Sequence, residues 1–161
     1  MLLILIRHGI AAPLGAGRAS DKERPLTTKG AERFRLVAQA LARLLPRPSA
    51  ILTSPLLRAR QTADIAAQAW GGPPPRTHPA LATGDWPGVV KAMADHGKDD
   101  MVVLVGHENW ISEVTARLLG GDSGGCFRYR KGGVAAIEIA DTKAVAGRLL
   151  WFVPPKMWRR S

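Results

Sequence analysis

Short unbroken apolar runs alternate along this chain with stretches whose apolar residues recur every three or four positions, and that alternation sets the expected fold. Leu2-Leu3-Ile4-Leu5-Ile6 reads as a buried strand. Residues 10–26 carry Pro13, Gly15, Gly17, Ser20, Asp21 and Pro25 and read as a loop. A helix follows from about Thr28 to Leu45, with Phe34, Val37, Ala38, Leu41 and Leu45 at helical spacing, Thr27 or Thr28 as its N-cap, and Pro46 and Pro48 as its stop. Ala50-Ile51-Leu52-Thr53 is a second strand. Ser54-Pro55 opens a second helix that runs to about Trp70, with Thr62, Ile65, Ala66 and Ala69 inward, until Gly71-Gly72-Pro73-Pro74-Pro75 ends it. His78 to Leu81 reads as a short strand and residues 87–96 as a weaker helix around Val89, Val90 and Met93. Met101 to Val105 is the clearest strand after the first, and Glu108 to Leu119 is a helix with Ile111, Val114, Thr115 and Leu118 on one face. Gly120, Gly121, Gly124 and Gly125 make a connector. Phe127 to Arg130, Val134 to Ile139 and Leu149 to Val153 read as strands, with Lys131-Gly132-Gly133 and Ala140 to Gly147 as turns.

Early strands alternating with helices predict an α/β fold: a mainly parallel central sheet flanked by helices, with extra strands at the C-terminal end. At 161 residues, with no internal repeat and no linker, the chain is expected to form one domain over 1–161. No apolar stretch reaches the roughly 20 residues needed to span a bilayer, and the opening run is followed by Arg-His-Gly, so it reads as a strand and not a signal peptide. A lone cysteine, Cys126, excludes an internal disulfide and makes a cytoplasmic setting the expectation. Lys and Arg number 23 against 13 Asp and Glu, a formal net charge of +10, which favours anionic partners. The basic residues are scattered, with no run of the kind that marks a nucleic-acid tail. The end Lys156-Met157-Trp158-Arg159-Arg160 is basic and aromatic but short.

Chemistry collects at the strand ends. In open α/β sheets ligands gather at the carboxyl ends of strands. The first strand delivers Arg7 and His8 there, the second Thr53 and Ser54 with Arg58 one turn on, and the Met101 strand Gly106 and His107 at a helix start. Two imidazoles, two guanidiniums and helix N-termini converging on one small volume suit a dianionic phosphoryl group, because guanidinium forks match phosphate oxygens and helix N-termini favour anions.

These motifs, Arg7-His8-Gly9, then Ser54-Pro55-Leu56-Leu57-Arg58-Ala59-Arg60-Gln61-Thr62-Ala63, then Val105-Gly106-His107, resemble the histidine phosphatase superfamily, whose fold is phosphoglycerate mutase-like: a single three-layer α/β domain. The short length, Asp21-Lys22-Glu23-Arg24-Pro25-Leu26-Thr27, Gly106-His107-Glu108 and Lys131-Gly132-Gly133-Val134 look most like the SixA-type phosphohistidine phosphatases. The resemblance runs from Leu2 to about Ile139. It implies that His8 attacks phosphorus and becomes phosphohistidine, that Arg7, Arg58 and His107 bind the phosphoryl oxygens, and that water then hydrolyses the phosphoenzyme. It implies no cofactor and no metal, since the protein supplies the positive charge. The substrate is then phosphohistidine in a protein or a small phosphoester. His78 and His96 read as structural or solvent-exposed. The proton donor has three candidates, Asp21, Glu108 and Asp85, with Asp21 preferred because its loop is expected to face the pocket; mutase and acid-phosphatase relatives use a glutamate from a longer segment than 71–88. Asn109-Trp110 stands where many relatives carry proline.

Other motifs fail on context. Gly121-Asp122-Ser123-Gly124-Gly125 matches the nucleophile-elbow pattern, but a helix precedes it and a strand follows, the reverse of what the elbow needs. His107-Glu108 begins a zinc-protease motif whose second histidine position holds Ile111. No phosphate-loop sequence for nucleotide hydrolysis occurs. A phosphoglycerate mutase-like transferase, a non-catalytic phosphate- or phosphoprotein-binding module and an electrostatic nucleic-acid binder are the alternatives. The missing glutamate segment weighs against the first, and the retained nucleophile against the second.

Overall fold

The computed structural model describes residues 1–15, 20–121, 124–141 and 146–160. Leu2–Arg7 forms β1 and Thr28–Leu44 forms α1. Thr27 caps α1, its Oγ1 accepting from Gly30 N at 2.9 Å. The helix stops at Leu45, which is extended ahead of Pro46 because a residue before proline disfavours the helical region. Next come β2 (Ala50–Thr53) and α2 (Leu57–Trp70), which Gly71 ends in the left-handed conformation at φ 58°. They are followed by β3 (Arg76–Thr77), the short helices α3 (Ala80–Thr83) and α4 (Trp86–Ala94), β4 (Met101–Gly106) and α5 (Glu108–Leu118). The hairpin strands β5 (Val134–Asp141) and β6 (Ala146–Val153) follow, and a 3-10 turn at Pro155–Arg160 comes last.

The six strands lie in the order β3-β2-β4-β1-β5-β6. Pairing is parallel from β3 to β1 and antiparallel for β5 and β6, the mainly parallel α/β sheet with added C-terminal strands that the pattern predicts. Leu3, Leu5, Leu52 and Leu104 pack on one face with Leu81, Val89, Ile111 and Leu118. Ile4, Ile6, Ile51 and Val103 pack on the other with Phe34, Val37, Leu41 and Ala63. With both faces covered, a strand must be apolar at every position, which is why these runs are unbroken rather than alternating. Each fully buried Leu or Ile among them contributes about 1.5–3 kcal/mol of transfer free energy. Among the described residues no helix is long and apolar enough to cross a membrane.

Three elements differ from the sequence reading. The second helix begins at Leu57 and not at Ser54-Pro55, because Ser54 N bonds to Val105 O at 3.0 Å and Leu56 stays extended at ψ 133°. The short strand is Arg76–Thr77 and not His78 to Leu81: His78 N still bonds to Thr53 O at 2.9 Å, but Pro79 adopts a helical conformation and starts α3. Phe127 to Arg130 is irregular rather than a strand, since its backbone turns toward the end of β1. Gly132 N donates to Arg7 O and His8 O, both at 3.0 Å, so regular pairing with β1 begins only at Val134. Residues 142–145 of the expected Ala140 to Gly147 turn, and Asp122 and Ser123 of the elbow-like segment, lie outside the described residues.

Candidate active site

The strand order by itself assembles the site. β4 lies between β2 and β1, with Thr53 beside Val105 and Arg7 beside Gly106. One residue further along, His8 comes level with His107 and Ser54 with Gly106. Cross-links hold these ends together: His8 N donates to Gly106 O at 2.9 Å, and Ser54 N to Val105 O at 3.0 Å. The imidazole centroids of His8 and His107 are 5.1 Å apart and the rings are tilted by 57°. The helices that start here, α2 and α5, have no side-chain cap at Leu56 or His107, whereas α1 and α4 are capped by Thr27 and Asp85. An uncapped N-terminus leaves first-turn N–H groups for an anion.

His8 is 5% exposed, and its Nδ1 lies 2.7 Å from Gly9 O. A carbonyl only accepts, so Nδ1 carries the proton and the Nε2 lone pair is the nucleophilic one. Burial pushes the His8 pKa down to about 3; the Gly9 carbonyl opposes that fall, while His107, Arg58 and Arg7 add to it. The ring is therefore neutral at physiological pH, which leaves the Nε2 lone pair available.

The two guanidiniums are anchored from behind. Arg7 Nη1 donates to the carbonyl of Tyr129 and lies 3.1 Å from Glu108 Oε2. Burial pulls the Arg7 pKa below its ordinary value, Glu108 pushes it back up, and Arg128 and Arg130 pull it down further. Arg58, 6% exposed, donates through Nη1 to Asp21 O at 2.8 Å and through Nη2 to Asp21 Oδ2 at 3.0 Å. Asp21 also holds Arg24, with Nε at 3.0 Å from Oδ1.

His107 Nε2 lies 2.8 Å from Ser54 Oγ, which itself accepts from Leu56 N at 3.3 Å. Among the described residues the Ser54 hydroxyl proton has no other acceptor, so the network assigns it to His107 Nε2 and leaves the ring proton on Nδ1. Burial lowers the His107 pKa to about 4; Arg58 lowers it, Asp21 raises it, and Arg7 and Arg24 lower it again. Arg7 Nε, Arg58 Nε and His107 Nδ1 are all buried without a hydrogen-bond partner. Buried donors normally find acceptors. Three orphans on three convergent cationic or imidazole side chains call for an acceptor-rich ligand, which a phosphoryl group supplies.

The carboxylates named from sequence each have a fixed partner. Asp21 bridges Arg58 and Arg24. Glu108 faces Arg7 through Oε2 and accepts from Ser112 Oγ through Oε1 at 3.0 Å. Asp85 caps α4 by accepting from Gly88 N at 2.9 Å. Sequence reasoning placed Ser54 at a strand end without a partner, gave no role to Tyr129 or Arg24, and noted Trp110 only as standing where relatives carry proline. Trp110 is buried, and its Nε1 donates to Leu81 O at 2.9 Å, which ties α5 to α3 beneath the pocket. The only forward signal for it was its place one turn after Gly106-His107.

The imidazoles also set an acid sensitivity. Both titrate below the ordinary histidine value of 6.5, so in the unfolded chain they take protons first as pH falls. Their contribution to stability is fully present above pH 6.5 and is lost as pH drops toward 4 and 3. Denaturant titrations of wild type and His8→Asn at pH 7 and pH 4.5 should show wild type losing more, by on the order of 2 kcal/mol. Equal losses would contradict the burial of a neutral His8.

Residues 3–89 match the histidine phosphatase superfamily (branch 1). An uncharacterised protein of Picosynechococcus sp. is 42% identical over 141 residues, 86% of this chain and 85% of its own. The phosphohistidine phosphatase SixA of Escherichia coli is 30% identical over 128 residues, 76% of this chain and 77% of its own. Among solved structures, the protein histidine phosphatase SixA complexed with tungstate superimposes with a TM-score of 0.85 at 27% identity, covering 98% of this chain and 99% of that one.

Proposed function

The chain belongs to the histidine phosphatase superfamily, and on that premise we propose that it is a phosphatase that passes the phosphoryl group through His8, one domain over 1–161 serving phosphohistidine in a protein or a small phosphoester. The observation that carries this reading is the 2.7 Å contact between His8 Nδ1 and Gly9 O: it puts the proton on Nδ1 and leaves the Nε2 lone pair in a site that also holds Arg7, Arg58 and His107.

In the first step the Nε2 lone pair forms a bond to phosphorus as the bond to the leaving nitrogen or oxygen breaks in line with it. The ring becomes cationic, and the Gly9 carbonyl stabilises the charge on Nδ1–H. Arg7, Arg58 and His107 donate to the three non-bridging oxygens, whose negative charge the transition state keeps. The leaving atom takes a proton from water or from a group at the pocket mouth. In the second step water attacks phosphorus, the Nε2–P electrons return to the ring, and the water's proton leaves to solvent with inorganic phosphate.

The three carboxylates bear on the substrate. Asp21 and Glu108 are engaged with arginines and Asp85 with a helix end, so we read Asp21 as a positioning residue for Arg58 rather than as the acid. A site with no free carboxylic acid among the described residues favours a leaving group that departs easily, and the imidazole of a phosphohistidine leaves more readily than an alkoxide. The likeness to the SixA proteins supports the same substrate class, and tungstate is a tetrahedral oxyanion like phosphate.

Turnover of a phosphohistidine protein and of an aryl phosphate tests the proposal: both should release phosphate, the phosphohistidine with the higher kcat/KM, and tungstate should inhibit. Failure to release phosphate from either would sink it. Asp21→Ala should lower kcat/KM by on the order of tenfold and weaken tungstate binding, with the basic side of the pH profile unchanged, because Arg58 loses its anchor. An acid would instead remove the alkaline limb and leave tungstate affinity alone.

A further inference from the structure

Outside the reacting groups, the wall of the pocket carries a second set of cations that the reaction does not use. The segment Phe127 to Gly133 wraps over the end of β1: Arg7 Nη1 donates to the Tyr129 carbonyl, Arg7 N to Gly133 O at 3.1 Å, and Gly132 N to the carbonyls of Arg7 and His8. Tyr129 is fully buried, with its hydroxyl 2.8 Å from Thr115 Oγ1. Its neighbours Arg128, Arg130 and Lys131 are all exposed. Arg128 and Arg130 are close enough to Arg7 for their charges to oppose its own.

Among the described residues no carboxylate forms an ion pair with Arg128, Arg130 or Lys131, and the acids beside the pocket, Glu108 and Asp21, are taken by Arg7, Arg24 and Arg58. Placing Arg128 and Arg130 near Arg7, with Lys131 beside them in the chain and no paired carboxylate among the described residues, costs the free protein self-repulsion. Such a cluster gains only when an anionic surface covers it.

We propose that Arg128, Arg130 and Lys131 form a docking rim for an acidic polypeptide surface around the phosphorylated side chain, so that the pocket is selective for phosphoryl groups on acidic proteins. This rests on the reading of the pocket as a phosphoryl site. The three side chains are exposed, so they meet a partner from outside the protein instead of lining a closed cavity around a small molecule. A nucleic acid fits less well, because the one aromatic residue within Arg128–Lys131, Tyr129, is buried and gives bases no platform to stack on.

Fluorescence anisotropy with two peptides that carry a non-hydrolysable phosphohistidine analogue tests the rim, one flanked by Asp and Glu and the other by Asn and Gln. The acidic peptide should bind at least about tenfold more tightly at about 0.05 M salt, and the margin should shrink at about 0.5 M. In Arg128→Glu with Arg130→Glu the preference should vanish or reverse, while turnover of an aryl phosphate stays within about threefold of wild type. Equal affinity for the two peptides, a preference that survives the charge reversal, or tighter binding of a single-stranded oligonucleotide than of the acidic peptide would overturn the proposal. If the peptides behave as expected but no phosphate is released from any substrate, the rim stands and the phosphatase reading falls.

Discussion

His8→Ala is expected to abolish phosphate release, with kcat reduced by on the order of 10⁴-fold or more, while the protein stays folded and still binds tungstate. The size of the effect follows from the step the residue performs. In the proposed mechanism Nε2 is the atom that bonds to phosphorus, so with the ring gone the reaction must proceed by direct attack of water in a pocket shaped for an imidazole. The arginines and His107 remain, so anion binding survives and some electrostatic catalysis with it. Arg58→Ala is the informative contrast, at on the order of 10²–10³-fold, because it removes one donor and leaves the nucleophile. The fold should tolerate His8→Ala well, since the wild-type ring is buried in a cationic surround at the expense of its own basicity. Steady-state kinetics beside thermal unfolding separate the two effects. A folded His8→Ala protein with substantial activity would place the nucleophile elsewhere.

Gly106→Ala is expected to be among the most damaging single-methyl changes, at about 3 kcal/mol or more of stability together with most of the activity. A Cβ on Gly106 would lie 2.0 Å from Trp110 Cζ2 and 2.6 Å from Cε2. The indole cannot retreat, because its other edge faces Gly84, where a Cβ would lie 2.1 Å from Trp110 Cβ, and its Nε1 is bonded to Leu81 O. Relief must therefore come from β4 itself, whose next residue is His107. Thermal unfolding should show a large drop in Tm for Gly106→Ala, with partial recovery when Trp110→Leu is added, since the clash is with the ring. A Gly106→Ala protein as stable as wild type, or no recovery in the double variant, would show that the indole does not set the end of β4.

What could be read from the sequence was whatever repeats or punctuates locally. The runs at Leu2–Ile6 and Met101–Val105 are apolar throughout because both faces of the sheet are covered, and Thr27 announces α1 by a side-chain bond three residues long. Arg7, His8 and His107 were visible because they stand at the ends of such runs, and Arg58 because it lies at the start of the helix after the second strand. What lay hidden depends on contacts between distant parts of the chain. Asp21 and Arg58 are 37 residues apart and Arg7 and Tyr129 are 122 apart, so no spacing rule links them. Ser54 orients His107 only because β2 and β4 are neighbours, which strand order decides. Phe127 and Tyr129 alternate with polar residues as a strand would, yet the Tyr129 carbonyl is diverted to Arg7 and the ladder never forms. β3 is two residues long, too short for any period to show.

The central claim is that the phosphoryl group rests on His8 between substrate and water. Mixing the wild-type protein with an aryl phosphate bearing a good leaving group makes the second step limiting, so the phosphoenzyme accumulates as the phenol appears in a burst. Denaturing in alkali during that burst, digesting, and locating the phosphoryl group by mass spectrometry reads the claim directly. The account predicts an acid-labile, alkali-stable phosphoryl group on His8 in an amount matching the burst; a burst with His8 unmodified, or with the phosphoryl group on another residue, would contradict it.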